Sequence, residues 1–175
     1  RIETLPDTEE RERLLASIAT LAAMIDATLK FARDSTAPED WRRTDIAALL
    51  ASIVDDMEDA GLPVTMAPAD PVVLECQAGG LRRAVTNLVD NAIKYTPAYG
   101  RIAVTLRIEA AKAIMSIADS GPGIPAEFYS KVTQKFFRME ASRTTPGNGL
   151  GLSLAAAVFK LHGGEMRFSD NEPGL

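Results

Sequence analysis

Asn87 and Asn91 sit four residues apart in "NLVDNAIKYT" and put two neutral amides on one side of a helix. Lys94 follows on the same strip. An amide oxygen is a hard, uncharged ligand suited to Mg²⁺, and a lysine supplies a point charge for phosphate. Asp119 closes an apolar run and opens "DSGPGIP". An acceptor-only carboxylate there can take the hydrogen of an exocyclic amine such as that of adenine. Gly121 and Gly123 let a ligand approach the backbone. Arg138 and Arg143, in "KFFRMEASR", are residues of the type that binds phosphate. Gly147, Gly149 and Gly151, in "GNGLGL", stand directly before a helix whose N-terminal N–H groups favour an anion.

Each cluster alone also has a purely structural reading. Two asparagines flanking an apolar stripe hydrogen-bond locally, Asp-Ser-Gly ends a strand in a turn, and arginines coat a loop surface. "GNGLGL" is not a Walker loop, because no Gly-Lys-Ser/Thr closes it. It is not a dinucleotide fingerprint either, because no strand leads into it.

The elements that must position these residues can be read from periodicity. Leu81, Val85, Leu88 and Ala92 form an apolar stripe that predicts a helix over 78–95, with Asn87, Asn91 and Lys94 along its border. "GRIAVTLRIEA" and "KAIMSIAD" read as paired strands turning at "EAAK". "GLSLAAAVFKLHGG" reads as a helix closed by Gly163 and Gly164, and "EMRFSD" as the start of a further strand. "PAEFYSKVTQKFFRMEASR" is partly helical and partly irregular. Upstream, Thr44 or Asp45 caps a helix "IAALLASIVDDMEDA" ended by Gly61 and Pro63, and "VTMA" and "VVLEC" read as strands. Asp7 and Glu10 resemble a capping box for a long helix over about 8–33. Its Leu14, Ile18, Leu21, Ile25 and Leu29 make a narrow seam that calls for a partner helix. "DSTAPED", 34–40, is a linker. Hairpin-like strand pairs with covering helices imply an α+β sandwich preceded by a long N-terminal helix.

Composition narrows the function classes. The net charge of −5 over 175 residues argues against a nucleic-acid binder. The single cysteine, Cys76, permits no intrachain disulfide and reads as a core residue. The acidic run Asp55, Asp56, Glu58 and Asp59 reads as a solvated helix face. No apolar run reaches the ~20 residues that span a bilayer.

In this order the four clusters resemble the asparagine box, first glycine box, phenylalanine box and second glycine box of the histidine-kinase ATP-binding domain. That domain has the Bergerat fold of the GHKL superfamily, and the resemblance implies a two-layer sandwich with a mixed sheet. The resemblance covers about 44–175. It implies a catalytic domain over 44–175, truncated at its C-terminal strand, and a remnant of a dimerisation and histidine-phosphotransfer module over 1–40. It implies ATP and Mg²⁺ as cofactors, with Asn91 as the metal ligand. Asn87, Lys94 and Tyr95 would hold metal-bound water, phosphate and the nucleotide, and Asp119 the adenine amino group. Gly121, Gly123 and Ile124 would line the pocket. Residues 126–148 would be an ATP lid anchored by Phe136 and Phe137, with Arg138 and Arg143 near phosphates. Gly147, Gly149, Leu150, Gly151 and Leu152 would cradle the phosphates. Asn148 stands where the commoner family form has Thr.

In the hydrolysing branch a glutamate stands four before the metal asparagine as general base on water. Asn87 occupies that position, and an amide cannot accept the proton at neutral pH. This favours transfer of the γ-phosphate to a histidine over hydrolysis. The only histidine, His162, lies at a helix end and reads as structural, a cation there suiting a helix C-terminus. The acceptor histidine is thus expected on a preceding helix, absent from a chain that begins at Arg1, so no autophosphorylation is expected of these residues by themselves. Expected partners are the phosphoacceptor helix, a response-regulator receiver domain and a second copy through the N-terminal helix. The expected location is cytoplasmic, with the full-length protein anchored in the inner membrane. The alternatives are a nucleotide-binding regulatory or scaffold module without transfer, and a hydrolysing GHKL ATPase.

Overall fold

The computed structural model describes residues 10–15, 17, 18, 22, 39–139, 148–171, 174 and 175. The chain divides into two units. One comprises Glu39–Met139 with Gly149–Leu175, the other Arg1–Pro38 with Glu140–Asn148. In the second unit, residues 10–15, 17, 18 and 22 are helical, and Ser17 Oγ donates to the Arg13 carbonyl one turn back at 2.8 Å. Of the predicted seam, Leu14 and Ile18 are exposed. Leu21, Ile25 and Leu29 lie outside the described residues, as does linker 34–38.

The larger unit contains five strands and three helices among the described residues. A two-stranded antiparallel ribbon joins β1 (Arg42–Asp45) to β3 (Val73–Cys76). A mixed three-stranded sheet runs β2 (Val64–Met66), β4 (Ile102–Glu109), β5 (Lys112–Asp119); β2 is parallel and β5 antiparallel to β4. Helices α1 (Ile46–Asp59) and α2 (Ala78–Tyr95) pack on this sheet, and α3 (Gly151–Leu161) packs on α2. This is the α+β sandwich expected, with a core built from Ile46, Leu50 and Ile53 of α1, Val85 and Val89 of α2, and Val64, Ile102 and Val104 of the sheet.

Local signals explain the boundaries. Asp45 Oδ1 accepts from the N–H groups of Ala47 and Ala48 at 2.9 and 3.3 Å, satisfying two of the four donors a helix start leaves open. At the other end of α1, Gly61 adopts φ +74. Its N–H reaches the Glu58 carbonyl at 2.8 Å, while Leu62 N–H reaches Met57 at 3.0 Å, a glycine-closed helix end. The β4–β5 turn is Ala110-Ala111, both left-handed with φ 49 and 61, the geometry a two-residue hairpin needs. The α2 stripe runs through Leu81, Val85, Val89 and Ala92, with Ala84 beside it. It therefore centres on Val89 rather than Leu88, which is half-buried.

Two expectations differ from the structure. "RRTD" forms β1, which a polar stretch gave no periodic signal for; its pairing partner contributes the buried Cys76. "EMRFSD" is not a strand. Phe168 turns to Tyr129, with ring centroids 5.6 Å apart, and Glu165 pairs with Arg167 in solvent. The C-terminal residues meet β5 by single bonds instead of a ladder, Asp119 N–H donating to the Leu175 carbonyl at 2.9 Å.

Candidate functional site

The helices α2 and α3 lie antiparallel, and their contact assembles the first part of the site. At one end Gln77 meets His162; at the other Asn87 and Asn91 meet Gly151. A Cβ placed on Gly151 would lie 3.5 Å from both Asn87 Oδ1 and Asn91 Nδ2. Asn87 also uses Nδ2 to donate to the Arg83 carbonyl at 2.9 Å, which fixes its rotamer along the helix. Among the described residues, the Asn91 amide makes no hydrogen bond. Lys94 Nζ sits 5.0 Å from the Tyr95 ring centroid, a cation–π contact that leaves its three donors available. The local reading of the asparagines thus holds for Asn87 alone. The first turn of α3 starts at Leu150, buried, whose own side chain makes no cap. Leu152 follows half-buried.

The second part is built around Asp119 at the end of β5. Its Oδ1 accepts from Gly121 N–H at 2.7 Å, holding the carboxylate against the turn. A Cβ on Gly121 would fall 2.8 Å from that oxygen and 2.9 Å from the Tyr95 carbonyl. Glycine is therefore required where β5 passes the end of α2. Tyr95, Asp119 and Gly121 are brought together one helical turn beyond Asn91. Gly123, at φ +68, turns instead toward Gly174. Ile124 is half-buried beside it in sequence.

The phenylalanine box separates into two roles. Phe137 is half-buried and packs on Phe128, centroids 6.1 Å apart. Phe136 is exposed, at φ 64, and its N–H donates to the Gly149 carbonyl at 3.0 Å. Phe137 makes its contact through its ring, Phe136 through its backbone. Gly149 has φ +69, and a Cβ there would meet the Phe137 carbonyl at 2.8 Å. Its glycine is explained by this close approach of two chain segments. Arg138 is half-buried and engaged. Arg143 and Gly147 lie outside the described residues.

His162 is the C-cap of α3 and is structural, but by a different device from the one expected. Its Nε2 accepts from Gln77 N–H at 3.0 Å and its Nδ1 lies 2.7 Å from the Val158 carbonyl. This network assigns a neutral ring with the proton on Nδ1. Glu39 was missed: it reads as linker, yet its carboxylate binds the start of α2. Sequence carried no direct signal for a contact between residues forty apart, although Gly79-Gly80 in a first helical turn was a hint.

Among the described residues no group of three or more His, Cys, Asp or Glu side chains converges, and on the acidic face of α1 Asp56 pairs with Arg82 at 2.5 Å. No helix there is long and apolar enough to cross a membrane. A groove of about 470 Å³ between α1 and residues 66–71 contains none of the four clusters.

Comparison with known proteins agrees with this fold. The family described as histidine kinase-, DNA gyrase B-, and HSP90-like ATPase matches residues 76–174. The signal transduction histidine-protein kinase/phosphatase MprB of Mycobacterium avium (strain 104) is 32% identical over 171 residues, 95% of this chain and 32% of that protein. The chain thus spans a fifth to a third of the length of the first curated relatives it matches, 20% and 32%. Among solved structures, the mycobacterial sensor histidine kinase MprB aligns with TM-score 0.61 and 31% identity, over 70% of this chain and 80% of that one. The ATP-binding domain of PrrB from Mycobacterium tuberculosis aligns with TM-score 0.60 and 28% identity, over 73% and 85%.

Proposed function

Because the chain belongs to the histidine kinase-, DNA gyrase B-, and HSP90-like ATPase family, a family of ATP-binding domains, and within it to the sensor histidine kinases, we propose that its larger unit binds Mg-ATP and donates the γ-phosphate to a histidine on another helix. The meeting of Asn87, Asn91 and Gly151 at the start of α3 carries this reading. It brings two amides beside a helix N-terminus, where phosphate oxygens are favoured.

Asn91, whose amide has no hydrogen bond among the described residues, fits a Mg²⁺ ligand. When bound, the ion neutralises charge on the phosphate oxygens. Asn87, held by the Arg83 carbonyl, orients groups at the phosphate end and cannot remove a proton from water. Lys94 offers its ammonium to phosphate, and Arg138 and Arg143 are lid contributions. Asp119 accepts the adenine amine on the carboxylate that Gly121 holds in place, beside Tyr95. Gly121, Gly123 and Ile124 bound the base, and Gly147, Gly149, Leu150, Gly151 and Leu152 the phosphate side. Catalysis of transfer is positioning and electrostatics, with the acceptor supplied by a separate helix. His162 does not serve, since both ring nitrogens are engaged.

We assign 44–175 to the catalytic domain and 1–40 to a helical dimerisation and phosphotransfer module. The further partners are a response-regulator receiver domain, which takes the phosphate onto an aspartate, and a second copy through the N-terminal helix. The unit is placed on the cytoplasmic side of a membrane-anchored sensor.

Asp119→Asn tests the pocket: its nucleotide affinity by calorimetry should fall at least about 100-fold, because a carboxylate acceptor becomes an amide that offers a donor to the base. Retained tight binding overturns the pocket. Supplying an acceptor helix with labelled ATP separates the functions. Acid-labile phosphohistidine on that helix supports transfer, binding without transfer supports a scaffold, and steady phosphate release supports a hydrolysing ATPase.

A further inference from the structure

The helix α2 does not cap itself. Its N-cap residue, Gln77, makes no side-chain cap, and its Nε2 instead donates to the Glu39 main-chain carbonyl at 2.9 Å. The cap comes from the Glu39 carboxylate. Oε1 accepts from Gly79 N–H at 2.5 Å and Oε2 from Gly80 N–H at 2.9 Å, with Arg83 Nη2 3.7 Å from Oε2. A Cβ on Gly79 would lie 3.0 Å from both carboxylate oxygens. Two consecutive glycines in a helix cost about 1 kcal/mol each against alanine, and the first of them makes room for this carboxylate. Two residues on, Trp41 packs its ring on His162, centroids 4.9 Å apart, and His162 bonds back to Gln77. Residues 39–41 therefore hold the start of α2 and, through His162, the end of α3. The opposite end of the same antiparallel pair carries Asn87, Asn91 and Gly151.

We propose that Glu39 is a positioning residue of the nucleotide site: it caps α2 in place of the helix's own N-cap residue and sets the α2–α3 pair that brings Asn87 and Asn91 to Gly151. The route is short. Glu39 holds Arg83, and the Arg83 carbonyl holds the Asn87 amide. The proposal rests on the reading that these asparagines face Mg-nucleotide.

The test is Mg-ATP affinity of the full 175-residue chain by calorimetry, at a temperature where circular dichroism shows every variant folded. Glu39→Gln keeps the size and removes the charge; affinity should weaken about three- to tenfold, the scale of one lost cap. Gln77→Asp added to Glu39→Gln supplies a local cap and should restore most of it. Gly79→Ala displaces the carboxylate while improving helix propensity, so affinity should fall without a matching fall in Tm. If Glu39→Gln and Gly79→Ala bind Mg-ATP as the wild type does, or if Gln77→Asp rescues nothing, the proposal is overturned. Asn91→Ala separates the two claims. If it binds like the wild type, the pocket reading fails; if it loses binding while Glu39→Gln does not, only the positioning role fails.

Discussion

The three helices of the larger unit begin in three ways. The first turn of α1 is capped by its own Asp45, two N–H groups on one oxygen. That of α2 is capped by Glu39, from outside the helix, two N–H groups on two oxygens. The third, α3, begins at the apolar Leu150, whose own side chain makes no cap. A first residue that cannot cap its own helix forgoes about 1 kcal/mol, so leucine at the start of α3 needs a reason, and its surroundings supply one. There, two amides from a neighbouring helix face the first turn. Where a helix end serves packing, the fold brings a carboxylate to it. Where we propose that an anionic ligand binds, a resident carboxylate would compete, and the helix begins with an apolar residue.

Gly151→Asp is the strongest attempt to break this contrast. A carboxylate in the first turn of α3 interacts favourably with the helix dipole by about 0.5 kcal/mol, and a Cβ fits at 3.5 Å from its neighbours. Stability should therefore hold, while the new charge repels phosphate. Affinity for Mg-ATP should fall at least about 100-fold, close to 3 kcal/mol, with Tm unchanged. Equal affinity would mean that the start of α3 is not where phosphate sits. Asp45→Ala makes the opposite change at α1. It should lower stability by about 1 kcal/mol, a few degrees in Tm, and leave nucleotide affinity as it was. A loss of affinity there would erase the distinction between structural and functional helix starts.

Sequence alone made much of this contrast legible, and the boundary of its reach is physical. Asp45 is adjacent to the helix it caps, so its role was readable from local pattern. The asparagine pair and Gly151 were readable because helical spacing and glycine placement are local too. Their meeting was implied only through the family resemblance. Glu39 was not readable, because its partners lie forty residues away and a linker carries no period. Similarly, β1 escaped because it forms a short polar ribbon whose buried face is supplied by Cys76. Gly149 was assigned to phosphate; in the structure its missing side chain makes room for Phe136 and Phe137, a contact between segments that spacing could not predict.

A last, smaller effect sharpens the comparison within α2 itself, which has carboxylates near both ends. Glu39 sits at the start on donors that want it. Asp90 sits in the final turns between Asn87 and Asn91, and burial of its carboxyl pushes its pKa above the ordinary 3.8. The sign follows from proton linkage. A carboxyl that holds its proton more tightly when folded adds stability below its unfolded pKa, and that contribution is lost as pH rises through the folded value. At neutral pH the charge on Asp90 is thus a small cost to the fold. Asp90→Asn should show little difference from wild type in Tm near about pH 3, where both side chains are neutral. It should then become the more stable of the two as pH rises, with a constant advantage above the folded pKa. A pair of thermal melts across that range checks it. A constant difference at every pH would assign Asp90 no proton linkage, and a loss of stability at neutral pH would mean that its charge, like that of Glu39, has a partner.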